Sequence, residues 1–136
     1  MTQDKDDGNN PSLTIMNTIL SAVGAATCLA ILGMFSNVSN KTDITLQFDL
    51  MQLVGSIMSG CVAVTAASNN VEPTSAVVIG FVGAIVYSVS VSLFERMEID
   101  DPLQVTQIHG LCGVWGVIAV GIFDKDTGLI YSGQFR

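Results

Sequence analysis

The amino-acid sequence predicts an all-α integral membrane protein with four transmembrane helices. Hydrophobic residues make up 49% of the 136 residues, whereas charged residues make up only 12%. The charges are clustered, so that four uncharged stretches of membrane-spanning length alternate with short charged connections. A soluble helical bundle would instead carry charges along the outer face of each helix, at intervals of about one turn. Within the four stretches those charges are missing, and Asp49 lies only at the start of the second.

The four predicted spans cover about residues 12–36, 48–68, 74–94 and 102–123. Pro11 precedes the first span and suits the first turn of a helix. The connection before the third span is too short for anything but a tight turn. Small residues recur along the first three spans, as is typical of helices that pack closely against one another in lipid. We therefore expect a packed helical bundle in the bilayer.

Composition and charge also indicate which ligands and macromolecular partners are not expected to bind this chain. The net charge of −7 comes from acidic residues in the leading segment and at the ends of spans, and no basic cluster indicates nucleic-acid binding. Cys28, Cys61 and Cys112 lie in three different apolar stretches without a C-x-x-C spacing. They are interpreted as small buried residues rather than disulfide partners or metal ligands. We expect no metal, no cofactor and no nucleic-acid partner.

The last span contains the only histidine of the chain, His109. As an α-helix, residues 102–123 would be roughly 33 Å long, which matches a hydrocarbon core of about 30 Å. His109 would lie about 10 Å along the axis from Pro102. An ionisable side chain at that depth is costly and by default marks a functional site. Imidazole both donates and accepts hydrogen bonds, which suits the passage of a small polar solute or a proton relay.

A row of small residues accompanies this histidine. Gly110, Gly113 and Gly116 recur every three residues, so that either another helix packs into the resulting groove or a narrow passage runs along it. On a regular α-helix, Cys112, Gly113 and Gly116 share the face of His109. Asp100 or Asp101 is expected to cap the start of this helix, with Pro102 in its first turn.

The residues alone leave several roles open for His109. A structural hydrogen bond to a neighbouring helix is about as well supported as a functional role. A haem or metal ligand is disfavoured, because no second histidine or paired acid lies within the spans. A nucleophilic pair with Cys112 lacks an oxyanion hole and a third orienting residue, so that we predict no enzyme. The alternative to a transporter is a non-conducting four-span structural or assembly membrane protein.

The motif D-D-P-L-x-x-x-Q-x-H-G-x-C-G-x-W-G at residues 100–116 resembles the penultimate core helix of the ammonium transporters. This is the Amt/Mep/Rhesus superfamily, and the resemblance is greatest to its eukaryotic Amt type. It covers about residues 15–123, most of the chain. Four further motifs match in order: N-T-I-L-S-A-V-G-A at 17–25, V-A-V-T-A at 62–66, V-E-P at 71–73 and I-G-F-V at 79–82.

The resemblance implies that residues 1–136 form part of an ammonium transporter domain in the plasma membrane. That fold has eleven helices in two inverted five-helix repeats, and it assembles as homotrimers with one pore in each subunit. The chain would supply helices seven to ten as a fragment truncated at its C-terminus. His109 matches the second member of the twin-histidine pair that lines the pore, and Asp101 matches a structural acid.

The chain departs from the usual pattern of this family at three positions. Gln104 stands where many members have an acid, Gly55 where an asparagine is common, and Thr74 where a tryptophan often follows E-P. The transported substrate implied by the resemblance is ammonium or ammonia.

Overall fold

The computed structural model describes residues 11–39, 50–126 and 128–130. The described residues form four helical segments and no strand, which confirms the all-α prediction. The segments are α1 (Pro11–Ser39), α2 (Leu50–Thr65), α3 (Pro73–Arg96) and α4 (Cys112–Phe123), and α4 is preceded directly by the π-helical segment Thr106–Leu111. This last segment is called the π-turn below.

Three of the helical segments are long and apolar enough to cross a membrane. They cover Pro11–Met34, Pro73–Arg96 and the π-turn together with α4, Thr106–Phe123. The fourth, α2, is apolar but comprises only 16 described residues. Its predicted start, at about residue 48, lies outside the described residues.

Small residues bring α1 into close contact with α2 and α3. A β-carbon added at Gly60 of α2 would lie 2.7 Å from the β-carbon of Ala25, and one added at Gly80 of α3 would collide with the backbone of Ser21. The hydroxyl of Ser21 donates to the carbonyl oxygen of Gly60 at 2.7 Å. Helix contacts in lipid gain from this close approach, because dispersion and interhelical hydrogen bonds replace the hydrophobic effect there.

The second span ends earlier than predicted, at Thr65 instead of residue 68. The chain then turns, with hydrogen bonds from Ala67 N to Val64 O at 3.0 Å and from Asn70 N to Ala67 O at 2.9 Å. The fully buried Asn17 of α1 stabilises this turn. Its Nδ2 donates to Ser68 O at 2.8 Å and to Val71 O at 3.0 Å, which satisfies carbonyl groups that a continuing helix would have used.

The last segment packs across α2 and α3. A β-carbon added at Gly116 would lie 2.7 Å from the carbonyl oxygen of Ala63 in α2. The indole Nε1 of Trp115 donates to Ile79 O in α3 at 3.1 Å. Around these contacts lies a core of small and branched side chains: Ala63, Val64, Ala67, Val71, Ala76, Ile79 and Ala119.

All three cysteines are free thiols. Cys28 and Cys112 are buried, and Cys61 is partly buried. Their placement agrees with their interpretation as small residues that fill gaps between helices.

Candidate functional site around His109

His109 lies in the π-turn and is exposed on the surface of the described bundle. A π-helical turn bonds each N–H to the carbonyl five residues earlier, is rare, and occurs frequently at functional sites. The next residue, Gly110, is also exposed, and a β-carbon there would meet only the methyl group of Thr106, at 3.7 Å. The imidazole therefore stands beside bare backbone on an accessible face of a membrane-spanning segment.

The glycine row divides into a packed end and an open end. Gly116 is buried against α2, so that a helix occupies the groove at that position. A β-carbon added at Gly113 would meet nothing within 4 Å. The structure thus shows helix packing at Gly116 and, among the described residues, open space beside His109, Gly110 and Gly113.

The prediction that His109 and Cys112 lie on the same face of the helix is wrong. Cys112 is fully buried, and its thiol donates to Gly83 O of α3 at 3.6 Å, whereas His109 is exposed. The π-turn explains the difference, because its wider winding turns each residue through a smaller angle than an α-helix does and so shifts the two side chains onto different faces.

The segment also begins later than predicted, at Val105 instead of Pro102. Pro102 and Leu103 form a turn, and Gln104 has a left-handed φ of 53°. That conformation interrupts a helix and costs a non-glycine residue roughly 1 kcal/mol or more.

His109 therefore lies roughly 6 Å from the helix start instead of about 10 Å. From the other end, Phe123, it is roughly 21 Å away, so it lies closer to the Val105 end of the segment than predicted.

The side chain of Asp101, four residues before Val105, caps the start of this helical segment. Its Oδ2 accepts a hydrogen bond from Thr106 N at 2.9 Å, and its Oδ1 accepts one from Val105 N at 3.3 Å. The bond from Thr106 N–H is the main reason that the pKa of Asp101 lies below its ordinary value. A carboxylate near a helix N-terminus is favourable in any case, because it meets the exposed N–H groups and the positive end of the helix dipole.

Sequence reasoning did not assign a role to three side chains beside this cap. Gln107 is almost fully buried. Its amide orientation is assigned from its surroundings, so that the nitrogen donates to Asp101 Oδ2 at 2.8 Å and to Gln104 O at 3.1 Å. The hydroxyl of Tyr87 in α3 donates to Gln104 Oε1. The sequence did show an amide, Gln107, inside an apolar span and a tyrosine, Tyr87, within the third span. It did not show which residues they bond.

The site offers an exposed imidazole in an apolar setting. Its neighbours on the segment include Val114, 60% exposed, and Val117, 69% exposed. The described residues include no group of three or more histidine, cysteine or acidic side chains that could hold a metal ion. The imidazole of His109 itself can donate and accept hydrogen bonds and can exchange a proton with a small solute.

Several known proteins are similar to this chain in sequence, and one solved structure is similar in fold. The sequence pattern of the Ammonium Transporter Family matches residues 2–135. A candidate ammonium transporter of Synechocystis sp. is 39% identical over 119 residues, which cover 88% of this chain and 26% of that protein. Ammonium transporter 1 member 2 of Arabidopsis thaliana is 31% identical over 123 residues, which cover 89% of this chain and 22% of that protein.

A solved structure described as a Sensor Amt Protein matches with a TM-score of 0.70 and 31% identity, covering 90% of this chain and 28% of that one. The chain thus spans about a quarter of the length of these relatives. The two curated relatives bear the names of transporters, not of enzymes. Because the family pattern covers almost the entire sequence, this integral membrane chain belongs to the Ammonium Transporter Family.

Proposed function

We propose that the chain functions as part of an ammonium transporter and that the face carrying His109 lines the substrate path. One observation carries this proposal. His109 is exposed beside the open backbone of Gly110 and Gly113, on a membrane-spanning segment of a chain that belongs to the Ammonium Transporter Family.

The cost of charge in lipid determines the form in which substrate passes this face. A charged group at the centre of a bilayer costs about 2.5–3.5 kcal/mol on the insertion scale. A narrow apolar passage therefore favours loss of the proton from ammonium and passage of ammonia. His109 would accept a hydrogen bond from the substrate through one ring nitrogen and carry the proton separately.

A relay of this kind needs a second group beside His109. This chain contains a single histidine. Its resemblance to the twin-histidine motif assigns His109 to one half of the pair, so the other imidazole would come from the other repeat of an eleven-helix transporter. On this proposal, His109→Ala abolishes the ammonium-evoked current.

The same proposal explains the apolar outer faces of the bundle. Ile15 of α1 is 61% exposed, Ile19 is 59% exposed, and Val117 of α4 is 69% exposed. Such side chains lie against other helices or against lipid in a membrane protein. In the complete transporter, the remaining helices, the neighbouring subunits of a trimer and the lipid of the plasma membrane would cover them.

A chimaera tests the transport function. Residues of this chain replace the matching segment of Ammonium transporter 1 member 2 of Arabidopsis thaliana, and the chimaera is expressed in yeast cells that lack their own ammonium transporters. We expect ammonium uptake above that of cells with an empty vector. Normal amounts of chimaera at the membrane without uptake would contradict the proposal and favour the non-conducting, structural alternative.

A further inference from the structure

We propose that Tyr87 and Gln104 are positioning residues for His109, because together they set the π-turn that presents the imidazole. This inference rests on the proposed function, since it assigns these residues to the substrate path at His109. The side chain of Tyr87 is buried and does not reach the open face itself. They act through the backbone and the packing of the segment on which His109 lies.

Tyr87 is held rigidly beside the π-turn. Only 1% of its surface is exposed, and its ring packs in one cluster with Val91, Ile108 and Cys112. Ile108 directly precedes His109, and Cys112 is the first residue of α4. The ring therefore supports the π-turn from the side opposite its exposed face.

Gly55 of α2 makes room for the hydroxyl of Tyr87. A β-carbon at residue 55 would collide with that oxygen and with the ring carbon that bears it, which lies 2.6 Å from the added atom. Any larger residue at this position would therefore displace the hydroxyl. Gly55 and Tyr87 thus form a matched pair, in which the missing side chain of one admits the polar end of the other.

From there a continuous set of hydrogen bonds leads to the π-turn. The hydroxyl of Tyr87 donates to Gln104 Oε1. The carbonyl oxygen of Gln104 accepts from Ile108 N at 3.0 Å and from the amide of Gln107 at 3.1 Å. Gln104 also has the left-handed φ of 53°, so its side-chain bond to Tyr87 holds a backbone conformation that is unfavourable by itself.

Loss of the Tyr87 hydroxyl should consequently shift His109 without removing it. A shifted imidazole changes the passage of two substrates of different size by different factors. The ratio of ammonium to methylammonium transport measures this effect. A defect that only lowers the amount of folded protein reduces both substrates equally and leaves the ratio unchanged.

The test uses the transport chimaera with Tyr87→Phe, Gln104→Ala and the double variant. We expect each single variant to change the ratio by about threefold or more, since misplacement by about 1 Å costs up to about 100-fold at a reacting centre. The double variant should change it no further, because both substitutions break the same hydrogen bond. Ser88→Ala is the matched control, because that hydroxyl donates only to Ala84 O of its own helix at 2.9 Å.

A ratio within the error of the parent in both single variants would overturn the inference, and so would additive changes in the double variant. A parent chimaera without any transport would count against the proposed function instead.

Amide hydrogen exchange in the 136-residue chain then tests the positioning role by itself. Tyr87→Phe should accelerate exchange at Thr106–Leu111 relative to α1. Unchanged relative exchange would overturn the inference as well.

Discussion

Alanine at Gly116 is expected to force α4 away from α2. The new methyl group would lie 2.7 Å from the carbonyl oxygen of Ala63 and 3.3 Å from its carbonyl carbon. Both atoms belong to the backbone of α2, so relief requires a movement of one helix relative to the other. Overpacking of this kind costs about 1–3 kcal/mol, and the higher helix propensity of alanine returns at most about 1 kcal/mol. With the full return, the free energy of unfolding should fall by up to about 2 kcal/mol.

Gly113→Ala is the matched control, three residues earlier on the same helix. Nothing lies within 4 Å of a β-carbon at that position. Only the difference in helix propensity acts there, and the free energy of unfolding should rise by up to about 1 kcal/mol. Gly110→Ala should behave like this control, because its nearest atom lies at an ordinary contact distance of 3.7 Å.

Unfolding of the 136-residue chain in detergent micelles measures these differences. Trp115 is the only tryptophan, and its indole bonds α4 to α3, so its fluorescence reports the separation of the helices. The packing of α4 described above would be refuted by a Gly116→Ala variant as stable as Gly113→Ala.

Two further predictions concern hydrogen bonds at the ends of helices. Asn17→Leu should lower the free energy of unfolding by about 2 kcal/mol in the same assay, because it leaves two buried carbonyl groups without these partners. Thr18→Val, whose hydroxyl bonds only Thr14 O of its own helix, should change it little. For Asp101, the pKa in the folded chain lies below 3.8, so its contribution is complete above that pH and is lost as pH falls through the lowered pKa. The π-turn should therefore lose protection from hydrogen exchange, after correction for the intrinsic pH dependence of exchange, only as pH falls below 3.8. Asp101→Asn should remove this pH dependence, and an unchanged loss of protection would contradict the cap.

Charge patterning predicted the helical segments well because lipid imposes a simple condition. Charged side chains are excluded from the hydrocarbon core, so clusters such as those around Asp43 and Glu98 mark the ends of spans. Pro11 and Pro73 then start helices, as their fixed φ favours. His109 stood out as a candidate for the same reason, since an ionisable residue inside an apolar stretch is costly and by default suggests a functional site.

The local geometry of the site was beyond prediction because it depends on partners that are distant in sequence. The bonds of Asn17 reach residues 51 and 54 positions away, and they end α2 early. The left-handed Gln104, just before the π-turn, is hydrogen-bonded to Tyr87, 17 residues earlier on another helix. Spacing alone placed His109 and Cys112 on one face because it assumed regular α-helical winding, which the π-turn does not follow.

The row formed by Gly110, Gly113 and Gly116 shows which part of a helix contact the spacing can predict and which part depends on the fold. Its period of three showed that side chains were absent along one strip of the helix. Whether a helix or open space fills that strip depends on where α2 crosses, and Ala63 meets it only at Gly116.

The most direct test of the account is the current evoked by ammonium in cells that express the chimaera, measured with His109 intact and with His109→Ala. We predict that the alanine variant carries no ammonium-evoked current at normal abundance in the membrane. Ser88→Ala, which removes a hydroxyl that donates to Ala84 O of its own helix α3, should leave the current near that of the parent. An undiminished current in His109→Ala would contradict the role of this histidine in the substrate path.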